Sequence, residues 1–408
     1  MGNVEKSAGF GVGSTKIDSV KGSNQSGMRA HNERLVLTLV RQNGPLAKAE
    51  IARLTGLSAQ TVSVIMRTLE TDGLLKKGAP IRGKVGQPSV PMGLVPEGAY
   101  FLGLKIGRRS LDLILTDFLG RVEGHVHLTH RYPTPDSVVR FAKNSIPQLL
   151  DQLTNEQRAR VAGLGIAVPF RLWDWAKILD VDPDKMSGWR DRNIAEEIGA
   201  SLEIPVYIRN DASAACGAEL VFGAQDKPRD FLYFFIGFFV GGGLVLNNAL
   251  FTGRTGNAAA LGSMPIGKKD GKPRQLVEVA SLASLEKLLF SQGGNGNEIW
   301  EHPKSWSVAP ELLEDWLDEA AAGLAHAIGS AACLIDFECV LIDGWLPDAV
   351  RRKIVERTTV FLEKNSVPGI EAPQVREGTI GGDARSLGAA SLPLSNRFLV
   401  DRNDILKV

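Results

Sequence analysis

Four polar side chains, Ser58, Gln60, Thr61 and Ser63, fall within six residues, and Arg67 follows one helical turn later. Carried on a helix, such hydroxyls and a carboxamide can hydrogen-bond base edges in the major groove, and Gln60 can bond an adenine edge bidentately. Arg67 is placed to reach a phosphate. Farther on, Arg82-Gly83-Lys84-Val85-Gly86 has the composition of a flexible basic tip that suits a narrow minor groove. A different chemistry is offered by Asn210-Asp211, an amide and a carboxylate that either cap a helix or bind a polar ligand. His125, His127 and His130 invite a metal reading, and strand spacing puts the first two on one face. No carboxylate or cysteine accompanies them in sequence, so solvent-facing strand positions and no bound metal are expected. Trp173, Trp175 and Trp189 fall in expected loops, where they either stack on sugar rings or anchor a core or interface.

The reading residues need a scaffold, and the preceding sequence supplies one. Leu35, Leu37, Leu39 and Val40 suit the buried side of a first helix that ends before Asn43-Gly44-Pro45. A second helix is expected from Ala47 to Leu54, with Ile51 and Leu54 facing inward. Gly56-Leu57 makes a tight turn, and Ser58 caps a third helix whose Val62, Ile65, Met66 and Leu69 recur at helical spacing. This is helix-turn-helix order, and the run after Asp72-Gly73 reads as a β-wing. Residues 1–98 hold 13 Lys+Arg against 7 Asp+Glu, and the remainder 34 against 39, so a basic module precedes an acidic body. That asymmetry favours double-stranded operator DNA as the module's partner. The expected divisions are a disordered leader over 1–27 and the winged helix-turn-helix domain over 28–95.

The body opens with alternating apolar residues from Ala99 to Leu128, a three-strand meander of the kind that begins an actin-like ATPase lobe. A helix over 136–153, a buried strand over 161–168, a helix over 193–202, a strand over 206–208 and a helix over 212–222 follow. The uncharged run Phe231–Phe251 is long enough to span a bilayer, but Gly241-Gly242-Gly243 and Asn247-Asn248 divide it, and its residues favour strands. A buried hairpin is expected, and no membrane segment. Cys216, Cys333 and Cys339 lack paired spacing and read as buried small hydrophobes in a reducing cytoplasm.

The ordered motifs Gly103–Gly107, Ala167-Val168-Pro169, Gly188-Trp189-Arg190, Asn210-Asp211-Ala212, Ile236–Gly243, Asn257–Met264 and Gly381–Ala390 together resemble the ROK (repressor, open reading frame, kinase) family. The amino-terminal module is similar to that of the family's sugar-responsive repressors of the xylose and N-acetylglucosamine type. The resemblance implies a multidomain chain: an α-helical winged helix-turn-helix, then a two-lobed α/β actin-like (ribonuclease H-like) body. Its first lobe is expected over 96–214 with 380–408, and its second over 215–379.

It also implies which residues should serve a kinase, and several do not. Lys105-Ile106-Gly107-Arg108-Arg109 stands where the family has Asp-Ile-Gly-Gly-Thr. Gly237-Phe238-Phe239 replaces Gly-Thr-Gly, and Asp343-Gly344-Trp345 replaces a Gly-Gly pair. Phosphoryl transfer depends on positioned phosphates and metal, so these changes argue against ATP use. Asn210-Asp211 matches the family pair in which Asp is the general base. Ala260-Leu261-Gly262-Ser263 aligns with Glu-x-Gly-His, and the cysteine-rich zinc loop is missing, so zinc is not expected. Val277 aligns with a further family Glu, with Glu278 adjacent. The expected ligand residues are Asn210, Asp211, Asn257, Ala260, Ser263 and Glu278.

The expectation is thus a cytoplasmic transcriptional repressor, a homodimer or dimer of dimers, without catalytic residues, cofactor or metal. Its sugar-kinase-like body would bind a carbohydrate or derivative as effector, with Asp211 a vestigial base; the alternative is an ATP-dependent sugar kinase using Asp211. Gln60→Ala should relax operator sequence preference. Arg82→Ala should weaken binding across sequences and flatten its salt dependence by about one unit of slope, as read in a gel-shift titration.

Overall fold

A computed structural model describes residues 25–81, 89–175, 181–224, 226, 228–301, 304–365 and 367–400. The chain forms two compact units, Met1–Arg209 with Ala389–Val408, and Asn210–Gly388. Most of the leader expected over 1–27 lies outside the described residues, and the first helix already begins at Gln25.

In the first unit, α1 (Gln25–Asn43), α2 (Lys48–Thr55) and α3 (Ala59–Thr71) precede the antiparallel pair β1 (Leu75–Lys77) and β2 (Met92–Leu94). Val36, Leu37, Val40, Ile51, Val62, Ile65, Met66 and Leu69 form the module's interior. Two expectations shift here. Leu54 is 45% exposed, because α2 runs only eight residues and its inward stripe passes through Ile51. On α1 the buried side runs through Val36, with Leu35 and Leu39 half-buried at its margins.

The lobe that follows carries β3 (Tyr100–Ile106), β4 (Ser110–Thr116), β5 (Val122–Thr129), α4 (Pro135–Leu150), α5 (Asn155–Arg158), β6 (Val161–Val168), α6 (Pro183–Asp191), α7 (Ile194–Gly199) and β7 (Val206–Asn210). Its sheet is ordered β5-β4-β3-β6-β7. β6 is buried throughout, as its continuous apolar sequence requires, and β3 is buried with Lys105 as its one charged residue, while β5 is an edge strand with mostly exposed side chains. Leu102, Leu104, Leu111 and Leu113 pack under Val138, Phe141 and Ile146 of α4. A capping box between Thr134 and Ser137, with Pro135 at the first position, starts α4. Trp189 belongs to α6 and not to a loop. It is 1% exposed and its Nε1 donates to the Pro133 carbonyl at 3.0 Å, which makes it a core anchor.

The second unit holds α8 (Asp211–Phe222), β8 (Phe231–Ile236), β9 (Val240–Leu246), β10 (Ala249–Phe251), β11 (Pro265–Lys269), β12 (Lys272–Gln275), α9 (Leu282–Ser291), α10 (Glu298–Glu301), α11 (Pro310–Ala332), β13 (Cys339–Gly344), α12 (Asp348–Lys364) and β14 (Gln374–Glu377). Its main sheet is ordered β10-β9-β8-β13-β14. Each lobe therefore repeats one plan: three antiparallel strands, then two more joined beyond the first. The Phe231–Phe251 run makes three strands where two were expected, because Asn247 and Asn248 adopt positive φ and turn the chain back once more. No helix among the described residues is long and apolar enough to cross a membrane. Cys216 and Cys339 are buried, but Cys333, just past α11, is exposed.

The closing helix α13 (Ala384–Phe398) returns to the first unit. There its backbone lies against β6 so closely that a Cβ on Gly165 would sit 1.8 Å from the Ala389 carbonyl oxygen. Gly165→Ala should therefore overpack this seam and destabilise the first unit by about 1–3 kcal/mol, seen as an earlier melting transition by circular dichroism. An unchanged melt would mean that α13 can slide away at no cost.

Candidate functional site

The reading head is built by the turn between α2 and α3. Gly56, at φ +70°, closes α2 by donating to the Ala52 carbonyl, a left-handed cap that a side chain would strain. Ser58 then opens α3: its Oγ accepts from the Thr61 amide at 3.1 Å and lies 2.8 Å from Thr61 Oγ1. Ser58 and Thr61 thus serve first as the cap. Ser63 Oγ accepts from Lys48 Nζ at 3.1 Å. Gln60 and Arg67 are exposed and make no side-chain hydrogen bond among the described residues.

Between them stands Val64, 51% exposed on the same stripe, a residue that sequence reasoning passed over. The signal was available: Gln60, Val64 and Arg67 follow helical spacing on the side opposite Val62, Ile65 and Leu69. An exposed valine on a helix that presents polar groups offers the contact a thymine methyl needs. The wing's base is formed by β1 and β2 and an isolated bridge between Ile81 and Ser89, while Arg82 and Lys84 lie outside the described residues.

The module is seated on the first lobe by two arginines. Arg160 Nη1 donates to the carbonyls of Asp72 at 3.0 Å and Gly98 at 3.2 Å. Arg41 of α1 donates through Nη2 to the Phe118 carbonyl, and its guanidinium lies 5.0 Å from the Phe118 ring centre. Burial lowers the Arg41 pKa to about 10, with the Asp117 carboxylate opposing the shift, so it stays charged at neutral pH. Phe118 is itself wedged against Phe398 at 5.0 Å, and the Val400 amide donates to Thr38 Oγ1 at 3.1 Å.

The residues that depart from the family's kinase motifs make internal contacts. Lys105 Nζ donates to Asp112 Oδ2 at 2.6 Å and to Ser110 Oγ at 2.7 Å. Its charge is therefore neutralised within the sheet. In the second unit, Phe238 packs on Phe239 with ring centres 4.8 Å apart and stacks on Trp300 at 5.9 Å. The carbonyls of Gly237 and Phe238 accept from the first amides of α9, Leu282 and Ala283. Gly241, Gly242 and Gly243 are required for packing: added Cβ atoms would meet Ala212, Leu261 and Cys216 at 2.7, 2.3 and 2.4 Å. Asp343 is fully buried, and its oxygens accept from Tyr233 Oη, the Gly344 amide and the Gly381 amide. Burial raises its pKa from the usual carboxylate range, although the Gly381 and Gly344 amides and Arg351 favour its charge.

The expected ligand residues separate into distinct roles. Asn210 is the N-cap of α8, its Oδ1 accepting from Ala212 and Ser213 amides at 3.1 and 3.2 Å. Asp211 is 8% exposed, with Oδ2 3.5 Å from Arg385 Nη1, and Arg385 in turn lies 4.8 Å from the Phe235 ring centre. Sequence reasoning missed this arginine, although it falls inside the Gly381–Ala390 motif. Asn257, Ala260 and Ser263 are exposed in the segment around a 3-10 turn, and Glu278 Oε1 accepts from the Gln275 amide at 2.8 Å in a capping box. No hydrogen bond joins these four to Asn210 or Asp211 among the described residues. A cavity of ≈ 300 Å³ lined by Ile266, Arg274, Glu319 and His326 includes none of them. One further expectation fails: the histidines of β5 do have a carboxylate, since Asp112 Oδ1 lies 3.1 Å from His125 Nε2 and 2.6 Å from His127 Nδ1.

A winged helix-turn-helix joined to two lobes of repeated strand order defines a protein with a DNA-reading module on a sugar-kinase-type body. The chain belongs to the ROK family, which its residues 101–395 match, and residues 29–76 match a winged helix-turn-helix DNA-binding family. It is 28% identical over 248 residues to the xylose repressor of Bacillus spizizenii, covering 60% of this chain and 62% of the repressor. It is 29% identical over 247 residues to the bifunctional enzyme NanE/NanK of Brucella melitensis, covering 58% of this chain and 43% of that enzyme. Among solved structures, a ROK family transcriptional regulator homologous to the E. coli MLC protein superposes with a TM-score of 0.67 at 19% identity, covering 91% of this chain and 97% of the other.

Arg41→Ala should leave the Phe118 carbonyl without its buried donor and remove the cation from its ring. The expected cost is about 2–4 kcal/mol in the first unit, together with faster amide exchange in α1 by mass spectrometry. Protection of α1 equal to that of the wild type would show that the seat does not depend on this residue.

Proposed function

We propose that this protein is a sequence-specific DNA-binding transcriptional regulator, a repressor, whose ROK body senses a carbohydrate or derivative and has lost phosphoryl transfer. The observation that carries the reading is the exposed stripe of Gln60, Val64 and Arg67 on α3, presented by a module seated on a lobe in which Lys105 is neutralised by Asp112. In this reading Gln60 and Val64 contact base edges, Ser63 and Arg67 reach the backbone or adjacent bases, and Ser58 and Thr61 set the helix angle. Arg82 and Lys84 belong to the wing contact. Two copies would read paired half-sites, which makes a homodimer or dimer of dimers the working assembly. Effector binding by the body would change operator affinity by favouring one placement of the modules over another. Asn210, Asp211, Asn257, Ala260, Ser263 and Glu278 remain the proposed effector contacts, with Asp211 Oδ2 3.5 Å from Arg385 Nη1. The domain limits proposed are 28–95 for the module, 96–214 with 380–408 for the first lobe and 215–379 for the second.

A sugar kinase is the second reading, favoured by the retention of Asp211 at the start of α8 and by the sequence likeness to the Brucella enzyme. Against it, a general base must receive a proton from substrate, and Asp211 already faces a guanidinium. A coupled assay with Mg-ATP across a sugar panel should give no turnover, whereas operator fragments recovered by genomic pull-down should shift in a sugar-dependent manner. Phosphoryl transfer that disappears in Asp211→Ala would overturn the regulator-only reading. Operator binding unmoved by every sugar at millimolar concentration would remove the effector from it.

A further inference from the structure

The cluster on the outer strands of the first lobe is not used by the DNA-binding reading, and its chemistry is specific. Asp112 on β4 lies directly opposite His127 on β5, and His125, two residues earlier, shares that face of the sheet. The carboxylate side chain is 13% exposed, while the imidazoles are 46% and 48% exposed. One ligand atom from each of the three residues lies within 4.8 Å of the other two.

We propose that Asp112, His125 and His127 form a binding site for one divalent transition-metal ion of the zinc class. Two imidazoles and one carboxylate are the donor set of zinc, cobalt or nickel; calcium and magnesium take oxygen ligands. Bonds of about 2.0–2.2 Å to nitrogen and oxygen at tetrahedral angles separate ligand atoms by about 3.3 Å. The 3.1 Å separation of Asp112 and His125 already meets that spacing, and the 2.6 Å contact with His127 must open by well under the length of a bond. Both imidazoles point at a single oxygen, Oδ1, and an ion entering there replaces two hydrogen bonds with three coordinate bonds, two to imidazole nitrogen and one to Oδ1.

The arrangement behind the carboxylate fits the same use. Oδ2 accepts from Lys105 Nζ at 2.6 Å and from Ser110 Oγ at 3.1 Å, which fixes the plane of the carboxylate and leaves Oδ1 for the ion. The nearby ammonium lowers affinity for a cation, so the site suits an ion acquired from solution and not one locked into the core. Because β5 is the edge strand and its histidines face solvent, the remaining coordination positions are filled by water. The ion would clamp β5 to β4, and binding to the folded state alone raises its stability. His130 is not a ligand: its Nε2 lies 3.0 Å from the Gly107 carbonyl oxygen.

The test uses the full chain, stripped with chelator and titrated with zinc chloride by calorimetry and with cobalt chloride by visible absorption. The expected result is one equivalent bound, a visible cobalt spectrum of low-symmetry coordination, and a zinc-dependent rise in melting temperature. His125→Ala and His127→Ala change half-exposed side chains and should preserve the fold; each should weaken binding about tenfold or more. His326→Ala, an exposed histidine of the other unit, should bind as the wild type does. Absence of stoichiometric uptake, or uptake that survives both His125→Ala and His127→Ala, would overturn the proposal and leave the cluster as a hydrogen-bonded cross-strand pair.

Discussion

Arg41 gives up its water when α1 docks, and the rest of the first unit is arranged to make that tolerable. A buried guanidinium without partners costs several kcal/mol. Here the Phe118 carbonyl accepts from it, the Phe118 ring lies beneath it, and the Asp117 carboxylate is close enough to raise its pKa against burial. Asp117 is held in turn by the amides of Leu119 and Arg121, which tie down the turn after β4. α1 cannot leave without rehydrating a cation and exposing an aromatic cluster that also contains Phe101 and Phe398. The DNA-reading module is therefore docked on the lobe through α1 and is not a bead on a loose tether.

The same internal satisfaction of polar groups recurs where the family's kinase motifs would fall. A phosphate site needs backbone amides left open and a carboxylate turned toward a metal. In the first unit the corresponding strand end carries Lys105, and its charge is matched by Asp112 within the sheet. In the second unit the turn before β9 is filled by Phe238, Phe239 and Trp300, and Asp343 is committed to the amides of Gly344 and Gly381. A buried polar group left unsatisfied destabilises its lobe, and Lys105 and Asp343 each have protein partners here.

Much of this could be read from sequence, and the failures share a cause. β6 emerged with its limits because a continuous apolar run between turn residues has few alternatives, and α3 emerged because its period and its serine cap agree. Local signals carried those elements. Arg385 facing Asp211 across 174 residues, and Asp112 facing His125 and His127 across a hairpin, are cross-chain pairings with no local period. The glycine run in β9 was legible as an interruption but not as a packing device, since its neighbours Ala212, Cys216 and Leu261 come from elements on both sides in sequence. Leu54 was misassigned for a simpler reason: at the end of a short helix, period alone does not decide which side the last residue faces.

β4 ties these observations together. Near its start, Asp112 holds Lys105 and faces the two histidines; just beyond its end, Asp117 and Phe118 seat Arg41 of α1. Between them lie residues buried on both faces of a sheet, where close packing leaves little room to absorb a displacement locally. A shift of the strand sufficient to disturb the Lys105–Asp112 pair must therefore be taken up at the turn or passed to α1. The strand that pairs with Lys105 on one side and with the two histidines on the other thus also leads into the turn on which α1 is seated.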